Sequence, residues 1–415
     1  MAVIELKKLP LPLCIEAPIS KSHMQRELLM SLLAEQPSTL IGNFKHLPTD
    51  VEDALKVIES LGAKIIRTQS SIRINPPART NLNDALEVHV GESGFLLRSL
   101  LTIGFLFGKR LIIHAQGTLL NRAVGLDGEI MKQLGIERLS APKEWPMVLE
   151  KRTPFSSEIE IDGSATSQIT SGLLIALSAL SGCKKVMLKN PVSLPYLNLT
   201  INALINRGVS IRWVGNAISI NESIPIAGKE VQIQGDWSGA ANILCIGAIA
   251  EVVSVEGLQH KSYQADELVL KVLSDFGAKV LHEGAKVVVY PRERKAFTID
   301  LTHAPDLFPL LCVLAAFGEG ISTISGTDRL EQKESNRLKS STELLSRLGV
   351  MWKQTGNALE ITGGITASKV EVNTYNDHRI VLASVVLAQG DVVQVVVNEQ
   401  DSINKSFPAL RLMML

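Results

Sequence analysis

Five glycines punctuate this 415-residue chain almost evenly. Gly62, Gly135, Gly208, Gly277 and Gly349 follow one another in steps of 73, 73, 69 and 72 residues. Each lies in one local pattern (ESLGAKI, KQLGIER, INRGVSI, SDFGAKV, SRLGVMW) where an amphipathic stretch ends and alternating β-type residues begin. A glycine just past a helix end accepts the left-handed backbone that turns the chain into a strand. A second series interleaves with the first. Apolar runs rich in small residues occur at Leu28–Ala34, Leu96–Phe107, Gly172–Ser181, Ala240–Ala250, Leu307–Phe317 and Ile380–Ala388, at the same period. Two series with one period predict six repeats of about 70 residues.

Each repeat reads as strand, apolar helix, strand, amphipathic helix, then strands rich in Val and Ile, so the predicted class is α/β. The apolar helices lack a polar face and are expected to be buried on all sides, beside their copies. Single cores rarely exceed about 250–300 residues, which favours three repeats in each of two domains. The sixth repeat is short, with 25 residues after Gly390, and Ala2–Cys14 is expected to complete its sheet. The chain then crosses between domains twice, near Ala17–Lys21 and near Ile233–Asp236. The expected domains are a lower one of residues 1–18 plus 236–415 and an upper one of residues 19–235. Two crossing strands make a hinge, and the cleft between hinged domains is the expected ligand site.

Charge and composition exclude several classes. The chain has 42 basic and 42 acidic residues and only 4% aromatics, which argues against a nucleic-acid partner. MAVIELKKLPLPLCIEAPISK has no unbroken apolar region, and the uncharged stretch Ala165–Cys183 opens with polar residues and is too short to span a bilayer. A cytoplasmic protein without a membrane partner is expected, its four cysteines buried free thiols. No CxxC, HExxH or other zinc spacing occurs, so no metal is expected. GxSxG and GxGxxG are absent too.

Polar segments open the apolar helices. Ser20-Lys21-Ser22-His23-Met24-Gln25-Arg26 combines a serine, two cations and free backbone N–H groups, the makings of an anion site. Gly163–Gln168, Gly235–Ser238, His303–Asp306 and Asn376–Arg379 open four others. Asp328–Arg337, Gly117–Arg122 and Asn404–Pro408 add further charge. Any one of these is an ordinary solvated helix start. As a set at equivalent places in the repeats, they point to a two-domain enzyme that closes around a phosphorylated substrate, with the reaction type open.

In order along the chain, Ser20–Arg26 (SKSxxxR), Gly91–Gly94, Arg122, Gly163–Gln168, Ser193–Tyr196, Pro305-Asp306, Lys333–Arg337, Asn376–Arg379 and Lys405–Pro408 resemble the motif series of the enolpyruvyl transferase family, in its shikimate-phosphate branch. The resemblance covers essentially the whole chain. It implies two domains, each of three βαβαββ units arranged as an inside-out α/β barrel, and transfer of the enolpyruvyl group of phosphoenolpyruvate to the 5-hydroxyl of shikimate 3-phosphate. The product belongs to the route to chorismate and aromatic amino acids. No cofactor is implied, and a monomer is expected.

Carried over by motif, Lys21, Ser22, Arg26, Thr166, Ser167 and Ser193 hold the shikimate 3-phosphate, Gln168 lies along its ring, and Lys333 orients its hydroxyls beside Asp306. Phosphoenolpyruvate falls to Lys21, Gly94, Arg122, Gln168, Arg337, Arg379 and Lys405. The resemblance makes Asp306 and Glu334 the proton-transfer carboxylates, has Lys21 or Lys405 assist the leaving phosphate, and gives His378 a supporting place. The chain departs from the family pattern at Glu92 and Phe95, expected to weaken phosphoenolpyruvate binding or reject its competitors, at Arg329 and Asn336, and at Leu119 and Leu120 in the loop before Arg122. The alternatives are the related transferase acting on UDP-N-acetylglucosamine, which typically has Lys-Asn at the Lys21-Ser22 position and a loop cysteine, and a homologue that binds without turnover.

Overall fold

The structure is a computed structural model that describes residues 4–78, 82–125, 128–164, 166–221, 225–331 and 333–414. Met1, Ala2, Val3, Ala165 and Gln332, which belong to segments singled out above, lie outside the described residues. The chain forms two compact units, one continuous (Lys21–Ile233) and one discontinuous (Met1–Ser20 with Gln234–Leu415).

Among the described residues six sheets carry the repeat. In the continuous unit the strand orders are Glu230–Gln232, Ser38–Ile41, Ser71–Asn75, Lys64–Arg67; then Asn83–His89, Gly108–His114, Met147–Lys151, Ile136–Arg138; then Glu158–Asp162, Lys184–Lys189, Ala217–Ile220, Ile211–Val214. In the discontinuous unit they are Leu13–Glu16, Val253–Glu256, Lys286–Tyr290, Lys279–Glu283; then Thr298–Asp300, Ile321–Ser325, Ala358–Thr362, Met351–Thr355; then Lys369–Val372, Gln394–Val397, Ile4–Glu5. In every sheet the first two strands pair parallel and the later ones antiparallel. A parallel pair needs a crossover, and in four of the six sheets the apolar helix supplies it, as Gly94–Ile103 does between Asn83–His89 and Gly108–His114.

The apolar helices are the buried ones. Gly94–Ile103, Trp237–Ile249, Phe308–Ala316 and His378–Gln389 are buried at every residue. Lys21–Leu33 is buried from His23 onward, and Gln168–Ser178 from Ile169. Burying each Leu, Ile or Val is worth about 1.5–3 kcal/mol, which is why an all-apolar helix settles between sheets rather than on a surface. In the discontinuous unit one cluster runs from Leu6 to Leu410 and draws only on that unit.

The periodic glycines end the amphipathic helices as expected. After Thr49–Ser60, Gly62 has φ +97°, its N–H reaches Glu59 O at 2.9 Å, and Ala63 N reaches Ile58 O at 3.0 Å. This pair of bonds caps the last carbonyls, and only glycine takes that φ without strain. Gly208, Gly277 and Gly349 repeat both bonds after Leu194–Asn206, Val269–Asp275 and Arg337–Arg347.

The N-terminus divides differently from expectation. Ile4–Glu5 does join the last repeat, antiparallel to Gln394–Val397, but Leu13 and Cys14 pair with Val253–Glu256 instead. Leu13–Glu16 precedes the Lys21–Leu33 helix yet belongs to the discontinuous unit. Glu230–Gln232 precedes the Trp237–Ile249 helix yet pairs with Ser38–Ile41 of the continuous unit. The two passing segments are bonded to each other, Ser20 N to Gln234 O and Asp236 N to Pro18 O, both at 2.7 Å. The buried Gln264 side chain ties them further, accepting from Ser20 Oγ at 3.0 Å and Trp237 N at 3.1 Å and donating to Gly235 O at 2.9 Å.

The thiols are corrected in part. Cys245 and Cys312 are buried, but Cys14 and Cys183 are exposed. Cys14 falls on the outward alternation of its strand, and Cys183 follows the turn at Gly182. Among the described residues no helix is long and apolar enough to cross a membrane.

Candidate active site

In the discontinuous unit, three helix starts bring a carboxylate–guanidinium cluster together. Arg337 opens the Arg337–Arg347 helix, which Asn336 caps by accepting from Lys339 N at 3.0 Å, so the departure at 336 supplies a good cap. Arg337 is 1% exposed and donates to three carboxylates: Nη1 to Asp306 Oδ1 at 2.7 Å, Nη2 to Glu334 Oε2 at 2.7 Å and Nε to Asp377 Oδ2 at 2.9 Å. Asp306 comes from the turn before Phe308–Ala316. Asp377 caps His378–Gln389 by accepting from Arg379 N at 2.9 Å, and Ser335 Oγ donates to it at 2.9 Å. Arg379 Nη2 reaches the other oxygen of Asp306 at 3.1 Å. Lys405, 8% exposed, donates to Asn376 O at 3.0 Å. The buried His378 ring has Nδ1 3.8 Å from Asp377 Oδ1.

These contacts set the charges. Burial alone would raise the Asp306 carboxyl, but Arg337, Arg379 and Lys333 outweigh it and hold the group far below the usual carboxylate range. Burial opposes the charge on Arg337, yet Asp377, Glu334 and Asp306 raise it well above its ordinary value. Burial, with Arg337 and Arg329 nearby, pushes the Lys333 ammonium down to about 8 despite Asp306. Arg329 therefore adds a cation to the same cluster; burial lowers it and Asp306 counteracts.

Two further carboxylates join here, Asp236 from the Gly235–Ser238 segment and Asp266, which escaped the sequence reading. Asp236 caps Trp237–Ile249 by accepting from Gly239 N at 3.0 Å. Asp266, on the Ala265–Leu268 turn, is fully buried and accepts from Ser238 Oγ. Burial, then the charge of Asp306, raises its carboxyl to about 7. Asp306, Asp266 and Asp236 all act on Arg379. The Gln-Ala-Asp stretch carries no local signal, because its neighbours come from elsewhere in the unit.

The continuous unit gathers a second set. Lys21 opens its helix and donates to Asp50 Oδ2 at 3.0 Å; Gln25 Nε2 links Asp50 O at 3.0 Å to Ser93 Oγ at 2.9 Å. Ser93 caps Gly94–Ile103 by accepting from Leu96 N. Any side chain at Gly94 would press on two guanidiniums, since a Cβ would lie 2.7 Å from Arg98 Nη1 and 3.0 Å from Arg122 Nη2. Arg98, also missed, binds Gln168 Oε1 at 2.6 Å, Val124 O at 3.1 Å and Ala123 O at 2.5 Å, so it joins Gln168 to the backbone after Arg122. Thr166 Oγ1 accepts from Gln168 N at 3.2 Å, and Ser167 is the N-cap residue of the Gln168–Ser178 helix. Arg26 is 2% exposed, with Nε on Thr200 Oγ1 at 2.7 Å and Nη1 on Ser22 O at 2.7 Å. Burial pushes it down to about 10, which leaves it charged at neutral pH. Ser193, with φ +53°, precedes the Leu194–Asn206 helix, in the uncommon left-handed region.

The two departures near Gly94 have partners of their own. Phe95 is buried, with the Arg26 guanidinium 4.4 Å from its ring centroid, a cation–π contact. Glu92 turns to the next loop, where Oε2 accepts from both Thr118 N and Thr118 Oγ1 at 2.8 Å. The turn Gly117–Asn121 then leads directly to Arg122. Glu92 is thus an anchor for the arginine-bearing loop.

Three repeats in each unit, with helix starts that present guanidinium, ammonium and carboxylate groups, define a class of two-unit α/β repeat proteins. The fold matches the solved EPSP synthase of Acinetobacter baumannii with a TM-score of 0.81, at 21% identity over 99% of this chain and 96% of that one. The chain belongs to the EPSP synthase (3-phosphoshikimate 1-carboxyvinyltransferase) family, whose model matches residues 9–413. The 3-phosphoshikimate 1-carboxyvinyltransferase of Korarchaeum cryptofilum is 32% identical over 98% of this chain and 96% of its own length. The Pyrococcus abyssi protein of the same name is 31% identical over 95% of this chain and 92% of its own.

Proposed function

We propose that this protein transfers the enolpyruvyl group of phosphoenolpyruvate to the 5-hydroxyl of shikimate 3-phosphate and releases phosphate, as a cytoplasmic monomer. The observation that carries the reading is Asp306, a carboxylate gripped by Arg337 and Arg379 with Lys333 and Glu334 beside it. On this reading Lys21, Ser22, Arg26, Thr166, Ser167 and Ser193 receive shikimate 3-phosphate. Arg337 and Arg379 take the carboxylate of phosphoenolpyruvate, with Arg122, Lys405 and the backbone at Gly94 on its other oxygens. Guanidinium suits the task because its planar fork binds carboxylate and phosphate in two-point fashion and stays charged.

Held by two arginines, Asp306 is a weak base. When the phosphoenolpyruvate carboxylate engages those arginines, their hold on Asp306 loosens and its proton affinity rises. Asp306 then takes the hydroxyl proton as the substrate oxygen bonds to C2, and Glu334 gives a proton to C3. The product of that step is a tetrahedral adduct. In the second step the C2–O bond to phosphate breaks, a C3 proton returns to Glu334, and the proton held by Asp306 passes to the departing phosphate, whose charge Lys21 or Lys405 neutralises. Glu334 and Asp306 share Arg337, so their protonation is linked.

Turnover in heavy water tests the carboxylate roles. Because C3 becomes a methyl group and then loses a proton, deuterium is expected in the product's methylene. Glu334→Gln should slow product formation and labelling together. Asp306→Asn should lower kcat by about 10²–10⁴. Full labelling and full rate in Glu334→Gln would remove Glu334 from this role.

A further inference from the structure

We propose that Glu87, His89 and His114 form a surface site for a divalent transition-metal ion of the zinc or nickel type. The sequence hides this cluster, because His89 and His114 are far apart along the chain and share no helical spacing. The sheet brings them together. Asn83–His89 and Gly108–His114 pair parallel, with His89 opposite His114. Leu86, Val88, Leu111 and Ile113 are buried on the inner face, so Glu87, His89 and His114 share the outer face.

One ligand atom from each of the three lies within 4.8 Å of the other two. The imidazoles stack with centroids 4.4 Å apart and planes 14° from parallel, and His114 Nε2 lies 2.6 Å from Glu87 Oε1. Two imidazoles and a carboxylate are the donor set of three-ligand zinc sites, which leave a fourth position for water. Borderline ions prefer this set, whereas magnesium and calcium favour all-oxygen shells. Metal–nitrogen bonds of about 2.0–2.1 Å require the donors to converge. Side-chain rotations that splay the stacked rings achieve this while the paired strands stay fixed. Glu87 is largely exposed and His114 partly so, leaving a path for the ion.

The position gives the site a consequence. Beyond the three residues the ladder continues, Val90 N to His114 O at 2.9 Å and Gln116 N to Gly91 O at 3.0 Å, before the strands part into the segments that carry Gly94 and Arg122. A bound ion would cross-link the strands just before they diverge. This proposal stands apart from the catalytic reading.

The test uses the full chain, stripped with a chelator and titrated with Zn²⁺ against a chromophoric competitor. One equivalent is expected to bind, at least tenfold more weakly in His89→Ala and in His114→Ala, and unchanged in His260→Ala. His260 belongs to a second histidine pair, its ring 4.5 Å from that of His282, and serves as the control. Zn²⁺ should raise the melting temperature of the wild type and leave that of His114→Ala unmoved, with circular dichroism confirming that each variant is folded. No stoichiometric binding, equal affinity in His114→Ala, or loss in His260→Ala would overturn the proposal.

Discussion

Arg337 contacts three carboxylates while almost wholly buried, and Asp306 is shared by two arginines. Removing one partner of such a set leaves a buried charge uncompensated, so these residues are unlike surface ion pairs. Glu92 makes a narrower prediction. Its two bonds to Thr118 hold the loop before Arg122, and hydrogen bonds to a charged group are worth about 1.5–3 kcal/mol. Glu92→Ala should raise KM for phosphoenolpyruvate roughly tenfold with kcat changed less, and Glu92→Gln, which keeps an acceptor, should recover most of the loss. Steady-state kinetics with each substrate varied would show it; an equal fall in kcat for both variants would refute the anchoring role. Asp266 predicts a pH effect. Its folded carboxyl is raised to about 7 from an ordinary value near 3.8, so the native state holds this proton more tightly than the unfolded chain does. That contribution is full below about pH 4 and is lost as pH rises through about 7. Asp266→Asn should therefore gain stability relative to wild type between pH 5 and pH 8, read by thermal unfolding at both. A gap that narrows as pH rises would contradict the burial argument.

At the scale of elements, the buried helices place polar groups where the local sequence already hints at them. Asp236, Asp377, Ser93 and Asn336 all cap helices through their own side chains, a pattern written in adjacent residues. The glycine series was legible for the same reason, since a C′ glycine needs only its own helix. Arg98, Asp50, Asp266 and the Glu87–His89–His114 cluster were not legible, because each depends on which strand or helix the fold sets beside it. Phe95 shows the limit from the other side. Its bulk was readable, but that it would turn under Arg26 depends on a helix some 70 positions away in sequence. Glu27 and Arg207 join two helices of the continuous unit by a fully buried pair, Nε to Oε2 at 2.8 Å, with Ser38, Ser31 and Ala227 O satisfying the other donors. Arg207→Ala should cost about 3–5 kcal/mol, measured by urea unfolding, because Glu27 would keep only His23, at 3.5 Å, as a charge partner in the core. A loss below about 1 kcal/mol would mean that His23 or water compensates Glu27.

At the scale of the whole molecule, the chain passes between the units twice, and just before each pass it adds a last strand to a sheet of the unit it is leaving. The continuous unit is a single stretch with three complete sheets, so residues 21–233 expressed alone should unfold cooperatively. Ending that fragment at 229 removes Glu230–Gln232, exposes the edge of Ser38–Ile41, and should lower the midpoint. Equal midpoints for the two fragments would mean the edge strand contributes nothing. The most direct test of function is phosphate release by the purified protein given phosphoenolpyruvate with shikimate 3-phosphate, and separately with UDP-N-acetylglucosamine. Lys21→Ala and Asp306→Ala serve as controls. Release with shikimate 3-phosphate alone, lost in both variants, is the expected result. Release with the sugar nucleotide, or none with either acceptor from folded protein, would contradict the proposed function.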